Sequence, residues 1–309
     1  MTDWILHHYD GSPFSEKMRL ILGFKRLAWK SVRVPVILPK PDVVALTGGY
    51  RRTPFLQVGA DVYCDTALMS RVIDRAAPAP PLFPAAAGPQ QHVLAQWADA
   101  TLFWCAIPYT MQPAAVPHLF GAAPPEFLKA FRADRALMAA GMRRATVEDA
   151  RAQLATYFTW LEGMLGDAGG FLLGAEPCIA DFSVAHSVWY IRRAPPVAAV
   201  LAPFPRLVAW FERVAAFGHG TREELTSDDA LAVASRAATH LPVQVRAGQG
   251  FDAGAQVTVT ATDYATDPVS GTLVGLAEDE VVLERADARA GTVHVHFPRI
   301  GYQIKKLEA

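Results

Sequence analysis

The stretch that decides the fold of the first domain lies at residues 4–24 and reads WILHHYDGSPFSEKMRLILGF. Residues 4–9 are strand-like, and Asp10-Gly11 supplies the chemistry of a turn. Ser12 is a favourable helix N-cap, and Pro13 follows at the first helical position, where its missing N–H costs nothing. This stretch therefore predicts a strand, a tight turn and an amphipathic helix.

The turn at Ser12 also has the chemistry of an anion site. A ligand beside it would meet a hydroxyl group, free backbone N–H groups and the positive end of a helix dipole. A thiolate is the anion most often stabilised in this way. An ordinary N-cap needs no ligand, so this stretch alone leaves both interpretations of Ser12 open.

Length and composition exclude several classes of protein. A chain of 309 residues suggests two or three domains, and 51% hydrophobic with 19% charged residues argues against global disorder. The net charge of −1 offers no basic excess, so we predict no nucleic-acid partner. The N-terminus lacks a signal-peptide pattern and apolar runs stay shorter than ~18 residues, so we predict a cytoplasmic protein that does not span a membrane.

The cysteines and histidines predict no metal site. Cys64, Cys105 and Cys178 lie far apart and form no Cys-x-x-Cys pair, which argues against both a disulfide framework and a zinc site. His294 and His296 share one face of a strand, and we expect that face to be exposed to water. No cysteine or carboxylate at ligand spacing joins them.

The pattern after the first helix completes a small α/β unit. Strand-like stretches occupy residues 31–36 and 53–64, the second with a hairpin turn at residues 59–61. Asp65-Thr66 then reads as the N-cap of a second helix. The predicted order is strand, helix, three strands and helix.

Three motifs in this unit resemble those of the cytosolic glutathione S-transferases. The first is Ser12-Pro13-Phe14-Ser15, which falls where the family has its Ser-Pro or Cys-Pro turn. The second is Arg52-Thr53-Pro54-Phe55-Leu56, which is similar to the family's basic-Val-Pro-x-Leu segment, whose proline is usually cis. The third is Asp65-Thr66-Ala67-Leu68, which is similar to the Glu-Ser-x-Ile segment. The resemblance implies a thioredoxin-like, glutathione-binding domain of the serine type at residues 1–77.

A second, all-helical domain is implied for residues 85–220. The proline-rich linker at residues 77–84 resembles that of the family, and helical patterns follow it, at residues 90–109, 127–144, 147–165, 181–192 and 205–217. Asp181 would close a capping box, although Cys178 stands where the family has serine or threonine, and sulfur is a poor acceptor. The resemblance covers residues 4–217.

The tail (residues 225–309) lies outside the resemblance. A helix is predicted at residues 227–240, and alternating strand patterns follow at residues 256–261, 271–276, 280–283 and 292–297. We expect a helix followed by a small all-β module, barrel-like or a sheet. Residues 242–309 hold six basic and nine acidic residues, which does not favour nucleic-acid binding. The role of this module is not predicted.

The resemblance assigns roles at the thiol. The Ser12 hydroxyl would donate to the sulfur of glutathione and lower its pKa, with Tyr9 and Ser15 as competing donors. The backbone of Thr53, before the cis Pro54, would pair with the cysteinyl part of glutathione like an added strand.

Further roles follow for the rest of the site. Asp65 and Thr66 would hold the ammonium and the carboxylate of the γ-glutamyl group, or serve only as an N-cap pair. Arg52 would pair with a glutathione carboxylate, or be merely solvated. Trp104 and Tyr109 would line a pocket for the electrophile, or belong to the core.

The leading hypothesis is a glutathione transferase-like enzyme that activates the glutathione thiol for attack on a small apolar electrophile. The resemblance implies a homodimer and neither metal nor nucleotide. The alternative is a non-catalytic binding or scaffold protein that keeps this fold. A third possibility is that glutathione serves isomerisation or dehalogenation.

Overall fold

The computed structural model describes residues 3–166 and 169–307. Ten strands occur in these ranges: β1 (Ile5–His8), β2 (Ala28–Arg33), β3 (Phe55–Val58), β4 (Asp61–Cys64), β5 (Thr221–Glu224), β6 (Gln256–Ala261), β7 (Val269–Leu276), β8 (Glu280–Asp287), β9 (Gly291–Pro298) and β10 (Tyr302–Lys306). They form one sheet in the order β10-β6-β7-β8-β9-β4-β3-β1-β2-β5.

The α-helices of the same ranges are α1 (Pro13–Phe24), α2 (Pro41–Thr47), α3 (Thr66–Ala76), α4 (Gln90–Trp97), α5 (Phe103–Thr110), α6 (Val116–Phe120), α7 (Pro125–Met138), α8 (Val147–Met164), α9 (Ile179–Arg192), α10 (Pro195–Ala198), α11 (Pro205–Ala215) and α12 (Ser227–Arg236). None of them combines the length and the apolar character needed to cross a membrane.

The first domain has the thioredoxin-like arrangement expected from the sequence. β1 pairs in parallel with β2 and antiparallel with β3, and β4 completes the four strands beside β3. Ser12 caps α1 as predicted, since its side chain accepts from the Ser15 N–H. The sequence analysis predicted no helix at α2, which begins with Pro41 at its first helical position, where a proline is tolerated.

The second domain is helical, as expected. The predicted long helix at residues 90–109 is present as α4 and α5 joined by the π-helical turn Ala98–Leu102. Asp181 fixes the start of α9: its carboxylate accepts from the Cys178 N–H at 2.8 Å and from Trp210 Nε1 at 2.7 Å. These bonds to a buried carboxylate hold the helix start although Cys178 is a poor cap.

The tail supplies the predicted β region as β6–β10, but these strands continue the sheet of the first domain. β9 pairs in parallel with β4, and β5, just before the tail, pairs in parallel with β2. Both edges of the four-stranded thioredoxin-like sheet are therefore covered, which removes two rows of unpaired backbone groups. Apolar side chains of β6, β7, β8 and β9 share one core with β3, β4, α2 and α12.

The expectation that His294 and His296 face water is wrong, because other side chains cover their face: the ring of His240 stacks on His294, and the ring of Tyr63 lies 4.4 Å from that of His296. They are 7% and 1% exposed. His296 Nε2 lies 3.0 Å from Asp61 Oδ1, and its Nδ1 lies 2.7 Å from Glu280 Oε1. Asp61 therefore anchors the tail to β4.

We predict that His296→Gln lowers the free energy of unfolding by about 2 kcal/mol at pH 6 and by less at pH 8. Burial lowers the pKa of His296, but the bonds to Asp61 and Glu280 outweigh it and raise the pKa above its usual value. The stabilisation by the charged ring is therefore complete below the unfolded pKa of about 6.5 and is lost as the pH rises through the folded pKa.

Denaturant unfolding at both pH values measures this difference. His118→Gln, at an exposed position of α6, serves as the control and should leave the free energy of unfolding unchanged. An equal loss for His296→Gln at pH 6 and pH 8 would show that the ring acts only by packing.

Candidate functional site

One cavity of about 830 Å³ collects most of the residues singled out from the sequence. Residues of the first domain, of the helical domain and of the tail all line it. The predicted site residues in its wall are Ser12, Arg52, Thr53, Pro54, Asp65, Thr66 and Trp104.

Ser12 joins the start of α1 to the loop before β3. Its Oγ accepts from the Ser15 N–H at 3.2 Å and donates to the Thr53 carbonyl at 3.3 Å. The Thr53–Pro54 peptide bond is cis, as the resemblance implies. The hydroxyl would have to turn from the Thr53 carbonyl to meet a thiol in the cavity.

The two competing donors differ in position. Tyr9 lines the cavity, and its hydroxyl lies 3.5 Å from Arg135 Nη2. Ser15 is fully buried and is not part of the cavity wall, so it cannot serve as a donor there.

Asp65 and Thr66 lie where α3 begins. Asp65 has a positive φ of 75°, an unfavourable conformation for a residue other than glycine, and its Oδ1 caps the Ala67 N–H at 2.9 Å. Its Oδ2 lies 3.2 Å from the hydroxyl of Tyr302 in the tail. The Thr66 hydroxyl accepts from Lys17 Nζ at 3.3 Å.

A buried ionic cluster supports this part of the wall. Lys17 Nζ lies 2.6 Å from Asp99 Oδ2, and His186 Nε2 lies 3.1 Å from Asp99 Oδ1. Burial acts to raise the pKa of Asp99, but Lys17 and His186 outweigh it and hold that pKa below its ordinary value. The cluster links α1, the π-helical turn and α9, and so joins the two domains behind Thr66.

Lys40 is a residue of the cavity wall that sequence reasoning did not single out. It is 5% exposed and lines the cavity, and its Nζ donates to Thr53 Oγ1 at 3.5 Å. Within the described ranges it forms no ion pair with a carboxylate. Burial lowers the pKa of Lys40 to about 8. The charges of Arg135 and Arg51 also lower this pKa, and the charge of Asp134 acts in the opposite direction. A buried cation without an anionic partner is suited to bind one.

We predict that Lys40→Met raises the free energy of unfolding by about 1–2 kcal/mol at pH 7, because the variant no longer buries an unpaired charge. The native pKa of about 8 is below the unfolded value of about 10.4, so this cost is complete well below pH 8, falls as the pH rises through 8 and is lost only above the unfolded pKa. The advantage of the variant should shrink over the same range.

Denaturant unfolding between pH 7 and pH 10 tests this, with the exposed Lys129→Met of α7 as the control. A destabilised Lys40→Met variant at pH 7 would contradict the prediction and indicate a structural role for the ammonium group.

Two predicted roles do not agree with the contacts of their residues. The Arg52 guanidinium donates from Nε to the Tyr264 carbonyl at 2.9 Å and pairs with Asp263, so it holds the tail. Tyr109 lies outside the cavity wall, and its hydroxyl donates to the Val197 carbonyl at 3.0 Å. Of the two interpretations that the sequence left open for Tyr109, its burial and contacts therefore support the core residue.

A loop of the tail at residues 262–268, the bridging loop, crosses from one domain to the other beside the cavity. Its Ala265 N–H donates to the Met138 carbonyl at 2.7 Å in the helical domain. The ring of Tyr264 lies 4.9 Å from that of Trp104 on α5. Sequence reasoning missed Tyr264 because its position depends on the pairing of β9 with β4.

A second cluster contains Asp61, His240 and His294, whose ligand-type atoms lie within 4.8 Å of one another. The two imidazole rings are stacked, with centroids 3.7 Å apart and planes inclined by 15°. Nearly parallel rings direct their in-plane lone pairs side by side, whereas an ion about 2 Å from both nitrogens requires them to converge. We therefore assign this cluster to the packing of the tail on β4.

The fold and the cavity define a class: a thioredoxin-like domain and a helical domain whose residues line one cavity. Models of the glutathione S-transferase N-terminal and C-terminal domains match residues 6–81 and 144–213. A GST-like protein from Pseudomonas syringae is 40% identical, covers 99% of this chain and 100% of its own, and superposes with a TM-score of 0.83. The chain therefore belongs to the glutathione S-transferase family.

More distant solved structures share the fold. Rice GST1, solved in complex with glutathione, is 18% identical over 69% of this chain and 86% of its own, with a TM-score of 0.51. A glutathione S-transferase from Rhodospirillum rubrum is 19% identical over 69% of this chain and 88% of its own, also with a TM-score of 0.51. The comparison with curated proteins gave no match. The Pseudomonas syringae protein, unlike these two, matches nearly the whole chain, including the tail.

Proposed function

We propose that this protein is a glutathione transferase that activates the thiol of glutathione at Ser12 for attack on a small electrophile. One observation carries the proposal: a single cavity brings Ser12, Thr53, Asp65 and Thr66 together with the buried cation of Lys40. These residues come from separate segments of the chain, and each offers a group that one part of glutathione needs.

The cavity wall complements glutathione along its length. The Thr53 backbone would pair with the cysteinyl residue as an added strand does. Asp65 would take the γ-glutamyl ammonium, and the Thr66 hydroxyl at the N-terminus of α3 would take the adjacent carboxylate. Lys40 would take the glycyl carboxylate; pairing with a glutathione carboxylate is the role that the resemblance implied for Arg52. These charge pairings fix the direction in which the tripeptide lies.

In the proposed reaction, the Ser12 hydroxyl donates to the cysteinyl sulfur and favours its thiolate, while the thiol proton leaves to solvent. The sulfur lone pair then forms a bond to an electrophilic carbon. In a substitution the leaving group departs with its bonding pair; in an addition the resulting carbanion takes a proton from water. Holding both reactants in one cavity supplies much of the rate.

The second substrate would lie against the aromatic side of the cavity. Phe103 and Trp104 of α5 line it, and Tyr264 of the bridging loop packs on Trp104. Aromatic walls favour an apolar electrophile. Isomerisation and dehalogenation would use the same thiolate, and a substrate screen separates them. We further propose that the protein acts as a cytoplasmic homodimer, as the family resemblance implies.

We predict that Ser12→Ala lowers kcat/KM by about a hundredfold at neutral pH, because a hydroxyl donor to the thiolate is lost. Proton release on glutathione binding should shift to higher pH, since the bound thiol then ionises less readily. Calorimetric titration with glutathione between pH 6 and pH 9, in buffers of different ionisation enthalpy, measures this release.

Ser15→Ala is the matched control, because it removes a buried hydroxyl outside the cavity. It should change neither kcat/KM nor the pH at which glutathione binding releases a proton. Unshifted proton release in Ser12→Ala would assign Ser12 to capping alone and make Tyr9→Phe the next variant. A wild-type chain that binds glutathione without turning over any electrophile would favour the scaffold alternative. A chain that does not bind glutathione would refute the proposed function.

We predict that Trp104→Ala raises KM for an aromatic electrophile by about tenfold and leaves the Kd of glutathione unchanged, because it removes only the apolar wall. Steady-state kinetics at saturating glutathione and a separate glutathione titration measure the two effects. Trp160→Ala, at a position 58% exposed on α8, is the matched control. A loss of glutathione affinity in Trp104→Ala would contradict the division of the cavity into two parts.

A further inference from the structure

Tyr302, at the start of β10, brings a hydroxyl from the tail into the wall of the cavity. This hydroxyl lies 3.2 Å from Asp65 Oδ2 and 3.3 Å from the hydroxyl of Tyr50. A phenol carries a single proton, and a carboxylate can only accept one. Tyr302 therefore donates to Asp65, and Tyr50 donates to Tyr302.

The Asp65 carboxylate is thus held from two sides. Its Oδ1 accepts the Ala67 N–H at 2.9 Å, so the start of α3 fixes one oxygen, and Tyr302 fixes the other. The backbone of Asp65 has a φ of 75°, which the surrounding contacts must maintain. The side chain is therefore restricted to one orientation at the cavity wall.

Tyr302 is itself firmly placed. β10 pairs with β6, where Tyr302 lies opposite Ala261, and the ring lies 5.6 Å from that of Phe297. The Arg52 guanidinium lies 5.7 Å from the ring centroid. Burial raises the pKa of Tyr302 well above its ordinary value, so the hydroxyl keeps its proton over the working pH range. These contacts come from the tail and from the first domain.

We propose that Tyr302 is a positioning residue that orients the Asp65 carboxylate toward the ammonium group of the γ-glutamyl residue of glutathione. The tail is then part of the glutathione site. The inference rests on the proposed function, because it presupposes that glutathione binds with its γ-glutamyl group at Asp65. The hydrogen bond from Tyr302 to Asp65 Oδ2 distinguishes this arrangement from a simple helix cap.

The test is a comparison of two ligands on the full-length chain. Glutathione carries the ammonium group, and glutaryl-cysteinylglycine is the same molecule without it. Tyr302→Phe removes one hydroxyl and keeps the ring. We expect the Kd of glutathione to rise about tenfold and the Kd of the analogue to stay unchanged. Calorimetric titration of both ligands at pH 7 measures the two constants.

A double-mutant cycle identifies the residue through which Tyr302 acts. Asp65→Asn should also weaken glutathione binding and spare the analogue, and adding Tyr302→Phe to it should weaken binding little further. Tyr157→Phe, which removes a hydroxyl from α8 outside the cavity, is the matched control. Tyr50→Phe is a second variant, which keeps the hydrogen bond from Tyr302 to Asp65. We expect it to lower the affinity for glutathione by less than Tyr302→Phe does, and to leave the affinity for the analogue unchanged.

The outcomes separate the two proposals. Equal losses for glutathione and the analogue, or no loss for either, in Tyr302→Phe would overturn the positioning role and leave the proposed function standing. Additive effects in the cycle would overturn it as well. If the wild type binds neither ligand, the proposed function itself fails. Should Tyr302→Phe not fold, a Tyr50→Phe variant that loses affinity for both ligands equally would also overturn the inference.

Discussion

The parallel pairing of β9 with β4 is the constraint on which the rest of this structure depends. Asp61 opposes His294 and Tyr63 opposes His296 in that pairing, and the bond between His296 and Asp61 locks the register. Because side chains alternate along a strand, a shift by one residue would turn the buried histidines and valines of β9 to the wrong face. The bridging loop and Tyr302 reach the cavity only while this register holds.

Among the described residues, some of the cationic side chains around the cavity are paired with a carboxylate, and Lys40 is not. Lys17 is paired with Asp99 and Arg52 with Asp263, so both charges serve the structure. Lys40 has no such partner in the described part of the chain, and its burial lowers its pKa. Such an arrangement lowers stability and persists where binding an anion compensates for it. The distribution of charge therefore separates the residues that hold the domains together from those available to a ligand.

Local patterns sufficed to predict the turn at Ser12 and the N-cap at Asp65, because each depends on neighbours in sequence. The cis bond at Pro54 was implied by the resemblance to the family. Lys40 was missed because its significance lies in burial without a partner, which no short pattern reveals. The positions of Tyr264 and Tyr302 depend on strand pairing between distant segments. Hydrophobic alternation predicted strands in the tail, but it carries no information about which edge they join.

The tail also constrains how the protein is made. Synthesis proceeds from the N-terminus, so the thioredoxin-like strands leave the ribosome long before β9 can cover β4. Until then the nascent chain exposes an open strand edge, a surface prone to aggregation and to capture by chaperones. Asp65 can meet Tyr302 only after the segment that contains β10 has also been synthesised, so this contact forms at the rate at which distant strands find each other.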